Sequence, residues 1–244
     1  SELQQKVLST SSDIGLANDG DADRLGVVNK DGKYISSLQI FALLCLHQLK
    51  FLGNRDPIVK SITMTSMIDK LGKYYNVPVF SASVGFKNIA PIMISENAIA
   101  AGEESGGYAF KNNMPERDGI LSGLLLLEMR ALSGKSLSEL LQLLEFKVGS
   151  HYYDRIDIRI NADQKNCLIE RLVSSPPVSI GGKKVLNSDN TDGFRYTFDD
   201  EGSWLLIRFS GTEPLLRIYA ECQNSHDTQT ILNSALEIME IDRD

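Results

Sequence analysis

The chain has 244 residues, of which 42% are hydrophobic and 23% charged, a composition typical of a protein that buries a core. Its net charge of −7 argues against a general binder of nucleic acid or of membrane surfaces, and its longest apolar runs are too short to span a bilayer. Its three cysteines, Cys45, Cys167 and Cys222, show neither metal-ligand nor disulfide spacing, which predicts a reducing, cytoplasmic environment.

Along the first 147 residues, short apolar runs bounded by turn residues alternate with longer helical patterns. The predicted strands lie at residues 13–18, 25–29, 33–35, 57–62 and 78–83, with two more around a loop within 98–110. The predicted helices lie at residues 2–9, 38–52, 66–76, 86–95, 118–132 and 136–146. Alternation at this spacing predicts an α/β unit with a largely parallel sheet.

The pattern changes after residue 147, where β-type residues and turn signals dominate. We interpret the Pro- and Gly-rich segment 176–184 and the segment DNTDG at 189–193 as turns. The predicted strands lie at residues 151–160, 193–200, 203–210 and 215–222, and the predicted helices at 162–175 and 226–241. This order predicts an α+β unit with an antiparallel sheet.

Three parts are therefore predicted: residues 1–36, 37–147 and 148–244. The first part is too small to bury a core alone, so we expect it to be the end of a domain whose beginning is missing. Its exposed sheet edge and apolar surface predict self-association, with a homodimer as one outcome.

The first candidate site is the stretch NDGDADRLGVV, residues 18–28, in which Asp19, Asp21 and Asp23 alternate with small residues. Carboxylates on a tight loop suit a hard divalent cation, and without one they would repel each other. Arg24 and Lys30 stand where a calcium-binding EF-hand needs Gly and Glu, which excludes that motif. The alternative is a solvated acidic turn.

The second candidate is GEESGGY, residues 102–108, where Glu103 and Ser105 lie in a glycine-flanked loop after a strand. Glycines allow close backbone approach, and a carboxylate and a hydroxyl can bind sugar hydroxyls. The alternative is a Gly-rich surface turn.

The third candidate is RFSGTEPLLRIYAE, residues 208–221. Arg208 ends one strand and Arg217 begins the next, and Ser210, Gly211 and Thr212 lie in the turn between them. Guanidinium groups, hydroxyls and backbone N–H groups suit a phosphate dianion. The alternative is a hairpin with polar turn residues.

The fourth candidate is SVGFKNI, residues 83–89, where Gly85 and Lys87 begin a predicted helix. An ammonium group and free N–H groups there suit an anion or a proton-transfer step. The alternative is an ordinary surface lysine.

In this order and at these spacings, the four motifs resemble the phosphohexomutase family, the phosphoglucomutase/phosphomannomutase enzymes. The segment ERDGI, residues 116–120, also resembles the family's segment before its buried helix. The resemblance implies an enzyme of four domains with one loop of each in a shared cleft. It implies transfer of a phosphoryl group from a phosphoserine to a hexose phosphate, a bisphosphate intermediate, and return of the other phosphate to the serine.

The resemblance also implies a role for each candidate residue. The metal loop, Asp19, Asp21 and Asp23, would bind Mg2+. Arg24 would lie beside the reacting phosphate, and Lys87 would contact substrate or transfer a proton. The sugar hydroxyls of the substrate, glucose or mannose 1- or 6-phosphate, would be held by Glu103 and Ser105. The non-reacting phosphate would be held by Arg208, Ser210, Gly211, Thr212 and Arg217.

One feature departs from the family: the 244 residues contain no T-A-S-H-N-P-like loop, which carries the family's nucleophilic serine. We therefore expect a C-terminal fragment, with residues 1–36 ending domain two, residues 37–147 forming domain three and residues 148–244 forming domain four. The fragment alone is predicted to be inactive. The alternative is a stand-alone sugar-phosphate binding module that does not catalyse.

Overall fold

The structure is a computed structural model, and it describes residues 1–211 and 213–241. The chain divides into two compact units, the first over Ser1–Gly149 and the second from Ser150 onward. The predicted division into residues 1–36, 37–147 and 148–244 stays a prediction. In the described ranges, no helix is both long and apolar enough to cross a membrane.

The first unit begins with a helix and an antiparallel three-stranded sheet of order β1-β2-β3. These elements are α1 (Glu2–Thr10), β1 (Ile14–Asn18), β2 (Leu25–Asn29) and β3 (Tyr34–Ile35). Asn18 lies opposite Leu25 in the β1–β2 register, so the acidic residues occupy the loop that closes this hairpin. Helix α1 packs so tightly on β1 that a Cβ on Gly15 would lie 2.5 Å from Val7 Cγ2.

Helix α2 (Ser37–Leu46) runs through the centre of the first unit and continues as a π-helical segment, His47–Phe51. Ser36 caps its N-terminus in a capping box with Gln39. Nearly every side chain of α2 is buried, because the sequence is apolar on all sides of the helix. The prediction of a buried helix at residues 38–52 is confirmed.

A four-stranded sheet of order β5-β4-β6-β7 follows, in which β4 is parallel to both β5 and β6, and only β7 is antiparallel. This confirms the predicted largely parallel sheet. Its strands are β4 (Ile58–Ser61), β5 (Val79–Ala82), β6 (Ala100–Gly102) and β7 (Tyr108–Phe110). The helices around it are α3 (Met67–Tyr75), α4 (Phe86–Ser95), α5 (Gly119–Ser133) and α6 (Leu137–Val148).

Two helices cover the faces of this sheet. Helix α4 packs Phe86 and Ile89 against one face, and α2 packs Phe41 on the other, stacked on Tyr108 with ring centroids 5.3 Å apart. Parallel strands end at a common edge of the sheet, where ligands commonly bind. The loops after β5 and β6 therefore emerge together, and they contain the SVGFK and GEESGG motifs.

The second unit is an antiparallel six-stranded sheet of order β8-β13-β12-β11-β10-β9, which confirms the predicted antiparallel sheet. Its strands are β8 (Tyr152–Arg159), β9 (Ser179–Ile180), β10 (Lys183–Asp189), β11 (Phe194–Phe198), β12 (Trp204–Phe209) and β13 (Leu215–Cys222). Its helices are α7 (Ala162–Ser174) and α8 (Ser225–Met239). Both helices pack apolar side chains on one face of the sheet, and Arg208 and Arg217 lie on the other.

The interpretation of residues 176–184 as a turn alone is wrong. β9 and the start of β10 form a short hairpin around Gly181 and Gly182, whose φ values are 57° and 78°. β10 then pairs with β11 through a bulge between Val185 and Asn187. The strand escaped prediction because most of its side chains are exposed, which leaves no alternation of apolar and polar residues to recognise.

Gly119, the first residue of α5, lies so close to the β1–β2 hairpin that we expect no side chain to be tolerated there. A Cβ on Gly119 would lie 2.4 Å from the Arg24 carbonyl oxygen and 2.3 Å from Asn18 Nδ2. Gly119→Ala should lower the free energy of unfolding by about 1–3 kcal/mol in a urea titration, because backbone must move. Gly26→Ala is the control: Gly26 lies in the hairpin that Gly119 contacts, and the atom nearest to a Cβ built on it is 3.7 Å away. This substitution should change the free energy of unfolding by less than about 1 kcal/mol. Equal losses of unfolding free energy in the two variants would contradict the expectation.

Candidate functional site

The acidic loop and the Gly-rich loop of the first unit meet through their backbones. The Leu25 N–H donates to the Gly106 carbonyl at 3.0 Å, and Arg24 and Gly107 form an isolated antiparallel bridge. The Gly119 N–H donates to the Ala22 carbonyl at 2.9 Å. Gly106 has φ +93°, a conformation that favours glycine. Two motifs distant in sequence are thus brought together.

Within the acidic loop, two aspartates face an arginine. Arg24 Nε lies 3.6 Å from Asp19 Oδ2 and 3.9 Å from Asp23 Oδ1, and the Arg24 N–H donates to Asp19 Oδ1 at 3.3 Å. Asp21 is exposed. Ala22 has φ 57°, so the loop turns through a left-handed residue between Asp21 and Asp23.

Glu103 is the most deeply buried carboxylate of this cluster, with only 7% of its surface exposed. The Gly85 N–H donates to Glu103 Oε1 at 3.0 Å, and Arg117 Nη1 lies 3.6 Å from Glu103 Oε2. Burial raises the pKa of Glu103, and the charge of Arg117 and the Gly85 hydrogen bond partly offset that rise. The SVGFK motif thereby orients the acid of the GEESGG motif.

Arg117 joins the acidic loop to Glu103, a role that the sequence analysis did not assign. Its Nη2 lies 2.7 Å from Asp23 Oδ2, and its guanidinium carbon lies 5.8 Å from the centre of the Phe86 ring. A Cβ on Gly107 would lie 2.3 Å from Arg117 Cδ, so the arginine stem crosses that glycine. The segment ERDGI, part of the resemblance, contains this arginine, but the sequence around it does not indicate either of its carboxylate partners.

Two predicted site residues lie near these loops with exposed side chains. Lys87 is the second residue of α4, directly after Phe86, and Ser105 lies in the turn that joins β6 to β7. The adjacent Glu104 carbonyl accepts a hydrogen bond from Ser37 Oγ at 2.6 Å, which ties this turn to α2. Exposure leaves both side chains accessible to a ligand.

The carboxylates of the acidic loop do not, as arranged, fit a magnesium site. Among the residues that the structure describes, no group of three or more His, Cys, Asp or Glu side chains could hold a metal ion. Asp23 is paired with Arg117 and Asp19 with Arg24, whereas Mg2+ needs oxygen ligands that converge on one point. The assignment of Mg2+ to Asp19, Asp21 and Asp23 stays a prediction.

In the second unit, Arg208 and Arg217 lie directly opposite each other on β12 and β13. Arg208 Nε lies 3.0 Å from Asp192 Oδ1, and Arg217 Nη2 lies 2.9 Å from Glu213 Oε2. Arg217 Nε is also 3.9 Å from Asp157 Oδ2. Asp192 was interpreted only as part of a turn. Each guanidinium group has five N–H donors, so these contacts leave donors for an anion.

The turn between the arginines is held by its own hydrogen bonds. The Ser210 N–H donates to the Leu215 carbonyl at 2.8 Å, and Ser210 Oγ accepts from the Glu213 N–H at 3.2 Å. Gly211 is open, with no described heavy atom within 4 Å of a Cβ built on it. Thr212 lies outside the described residues. A cavity of about 270 Å³ lies between this turn and the start of α7, and Lys165 is part of its wall.

Comparison with known proteins identifies the family. Two family models match: phosphoglucomutase/phosphomannomutase alpha/beta/alpha domain III over residues 37–146, and the phosphoglucomutase/phosphomannomutase C-terminal domain over residues 179–237. A Thermococcus kodakarensis phosphoglucomutase/phosphomannomutase is 30% identical over 96% of the chain, and a Methanocaldococcus jannaschii phosphoglucosamine mutase is 30% identical over 96%. The chain belongs to the phosphohexomutase family.

The chain spans about half the length of these relatives, 48% and 50%. A crystal structure of a phosphomannomutase-type protein from Thermus thermophilus shares its fold with a TM-score of 0.76 and 33% identity, over 93% of the chain and 46% of that protein. The Aspergillus fumigatus N-acetylphosphoglucosamine mutase, in complex with GlcNAc-6P and magnesium, has a TM-score of 0.61 over 92% of the chain and 48% of its own. At 12% identity, this likeness shows the fold alone.

The burial of Glu103 predicts an unusual titration. We expect its 13C carboxyl resonance, assigned with Glu103→Gln, to titrate above the ordinary glutamate pKa of about 4.3. Glu139, whose pKa is lowered by hydrogen bonds from Ser136, is the internal contrast. The pKa of Glu103 is higher in the folded state than in the unfolded state, so the folded state favours the protonated acid. The free energy of unfolding therefore falls as the pH rises from the pKa of the unfolded state to that of the folded state. A midpoint at or below the ordinary value would contradict the expectation.

Proposed function

We propose that the chain supplies the metal-loop, sugar-binding and phosphate-binding parts of a phosphohexomutase that interconverts hexose 1-phosphate and hexose 6-phosphate. The observation that carries this proposal is the pair of arginines, Arg208 and Arg217, facing each other across two strands beside the open Ser210–Gly211 turn. Phosphoryl transfer depends on positioning and on neutralising oxygen charge, which is what such a clamp supplies.

In the first unit, we propose that Glu103 and Ser105 bind sugar hydroxyls. The carboxylate of Glu103 is fixed by the Gly85 N–H and the Arg117 guanidinium, which leaves it oriented before a ligand arrives. We propose that Arg24, exposed at the end of the acidic loop, contacts the reacting phosphate. Lys87, exposed at the start of α4, would contact substrate or transfer a proton.

In the second unit, we propose that Arg208, Ser210, Gly211 and Arg217 hold the non-reacting phosphate, with Thr212 as a further predicted contact. The carboxylates of Asp192 and Glu213 hold the two guanidinium groups in place through single nitrogens. A dianion can then accept hydrogen bonds from the remaining donors and from the open backbone of the turn. Because the proposed contacts are all to the phosphate, a hexose phosphate could bind here whether its phosphate is on carbon 1 or on carbon 6.

We propose a hexose phosphate as substrate, with glucose favoured over mannose. The T. kodakarensis relative is named for glucose and mannose phosphates, and the M. jannaschii relative for glucosamine phosphate, so amino sugars are the first competitors to test. Mg2+ at Asp19, Asp21 and Asp23 stays the proposed cofactor of an intact mutase, because the A. fumigatus enzyme, which shares the fold, contains magnesium with its sugar phosphate. Binding there would require Asp19 and Asp23 to leave Arg24 and Arg117, which they face in this structure.

Two further proposals concern the setting of the protein. We propose a reducing, cytoplasmic environment, which the three free cysteines support. We also propose self-association through β1, because among the described strands β1 pairs only with β2 and leaves its other edge open.

A non-catalytic sugar-phosphate binding module is the second candidate function, since the clamp needs no serine in order to bind.

The arginine clamp predicts a specific loss of affinity. Arg217→Gln should weaken binding of glucose 1-phosphate about 10- to 100-fold by calorimetry, because it removes charge-assisted hydrogen bonds to phosphate. Arg171→Gln is the matched control: it removes the same charge from α7, where Arg171 pairs with Glu240 at 2.8 Å, and should leave affinity unchanged. Unchanged affinity in Arg217→Gln would argue against the clamp.

The missing serine predicts no turnover by this polypeptide alone. The purified chain should bind glucose 1-phosphate and yield no glucose 6-phosphate in a coupled assay, because its 244 residues contain no T-A-S-H-N-P-like loop to carry the phosphoryl group. The intact T. kodakarensis relative serves as the positive control. Measurable conversion by the chain would refute the prediction, and binding without conversion is the expected result.

A further inference from the structure

Four aspartates of the chain are followed directly by glycine: Asp19, Asp31, Asp118 and Asp192. In such a pair the backbone nitrogen of the glycine can attack the aspartate side chain, because no Cβ on the glycine hinders the approach. The attack needs a glycine N–H without an acceptor, a carboxyl group that is not held elsewhere and a backbone that can turn. The folded structure decides which of the four pairs meets these requirements.

In two of the four pairs the glycine N–H is already occupied. The Gly119 N–H donates to the Ala22 carbonyl at 2.9 Å, and the Gly32 N–H donates to the Asn29 carbonyl at 3.0 Å. The carboxylate of Asp118 is held as well, since its Oδ1 accepts a backbone N–H of α5 at 2.8 Å. Neither nitrogen can turn towards a side chain unless its hydrogen bond breaks first.

In the third pair the carboxylate and the backbone are both fixed. Asp192 Oδ1 accepts a hydrogen bond from Arg208 Nε at 3.0 Å. Gly193 has φ +105° and packs on β12, where a Cβ built on it would lie 2.6 Å from the Ile207 carbonyl oxygen. Rotation of this backbone would therefore disturb the sheet.

The pair in the acidic loop, Asp19–Gly20, has none of these restraints. Among the described residues, none accepts a hydrogen bond from the Gly20 N–H, and no heavy atom lies within 4 Å of a Cβ built on Gly20. The Asp19 side chain is 38% exposed, and Arg24 Nε lies 3.6 Å from it, beyond hydrogen-bonding distance. Its Oδ1 accepts the Arg24 backbone N–H at 3.3 Å, which turns the carboxyl group towards the residues that follow Asp19.

We propose that Asp19–Gly20 is a site of spontaneous succinimide formation and of conversion to isoaspartate. The Gly20 nitrogen forms a bond to Cγ of Asp19 and gives up its proton, while the side-chain carboxyl group releases its hydroxyl, so that one water leaves. Water then opens the imide ring at either carbonyl. One opening restores aspartate, and the other leaves isoaspartate, in which the backbone runs through the former side chain. Water is the only co-reactant.

Isoaspartate at this position would change the contacts of the acidic loop. It lengthens the loop backbone by one methylene group and shortens the carboxylate branch by the same group. The hydrogen bond from the Ala22 N–H to the Asp19 carbonyl, 3.1 Å long, and the contacts of Arg24 with Asp19 would be displaced. Because Arg24 also bridges to Gly107, the change would reach the contact between the acidic loop and the Gly-rich loop.

The experiment incubates the full chain at neutral pH for several weeks, folded in buffer and unfolded in urea. After digestion with trypsin, electron-transfer fragmentation locates isoaspartate in the peptide of residues 7–24, and an isoaspartyl methyltransferase with S-adenosylmethionine measures the total. In the folded chain, isoaspartate at Asp19 should exceed that at each of the other three aspartates about tenfold, because their contacts must open before the ring can close. In urea, the four rates should become similar, because those contacts are gone.

Gly20→Ala tests the role of the glycine. Alanine fits there, since Gly20 has neither a close contact nor a left-handed backbone, and its Cβ should slow the appearance of isoaspartate at Asp19 about tenfold. Gly26→Ala, which replaces a glycine of the same hairpin and leaves the Asp19–Gly20 bond intact, is the matched control and should leave the rate unchanged.

Two results would overturn the proposal. One is the absence of isoaspartate at Asp19 in the folded chain while the urea sample reacts, and the other is equal accumulation at all four aspartates of the folded chain. If Gly20→Ala does not fold, the comparison of the folded and urea samples decides alone.

Discussion

The close approach of one backbone to another at Gly106 and Gly107 is the constraint on which the first unit's site depends. The Leu25 N–H reaches the Gly106 carbonyl, and the Arg24–Gly107 bridge runs alongside it. Gly119 approaches the same segment from α5, at a distance that no side chain would permit. These contacts place the acidic loop beside Glu103, and the arginine that precedes α5 then reaches both.

Arginine–carboxylate pairing is the common electrostatic feature of both units. Arg117 faces Asp23 and Glu103 in the first, and Arg208 and Arg217 face Asp192 and Glu213 in the second. Charges withdrawn from water need such partners, because an unpaired buried charge is strongly destabilising. The pairs hold each guanidinium group in a defined orientation, which would lower the cost of ordering Arg208 and Arg217 around the proposed phosphate. The proposed chemistry and the stability of the loops thus depend on the same contacts.

The elements with a clear apolar or β-type pattern were predictable, whereas β9 and β10, whose residues are mostly polar and exposed, were not. The apolar helix at residues 38–52, the helix at residues 136–146 and the largely parallel sheet were all predicted and confirmed. The β9–β10 hairpin was missed because its side chains are mostly exposed and carry no pattern. Asp192 was interpreted only as a turn residue, because nothing in its own neighbourhood indicates that Arg208 lies 3.0 Å away.

The sequence alone determined the motifs, their order and the α/β and α+β character of the two units, because these depend on local composition and spacing. The motifs in that order also carried the resemblance to the family. It did not determine the partners of each charge. Arg117 is distant in sequence from both Asp23 and Glu103, and only the folded chain brings the three together. The tertiary structure therefore decided that the acidic loop is neutralised by arginines, since ion pairing depends on distances that only folding sets.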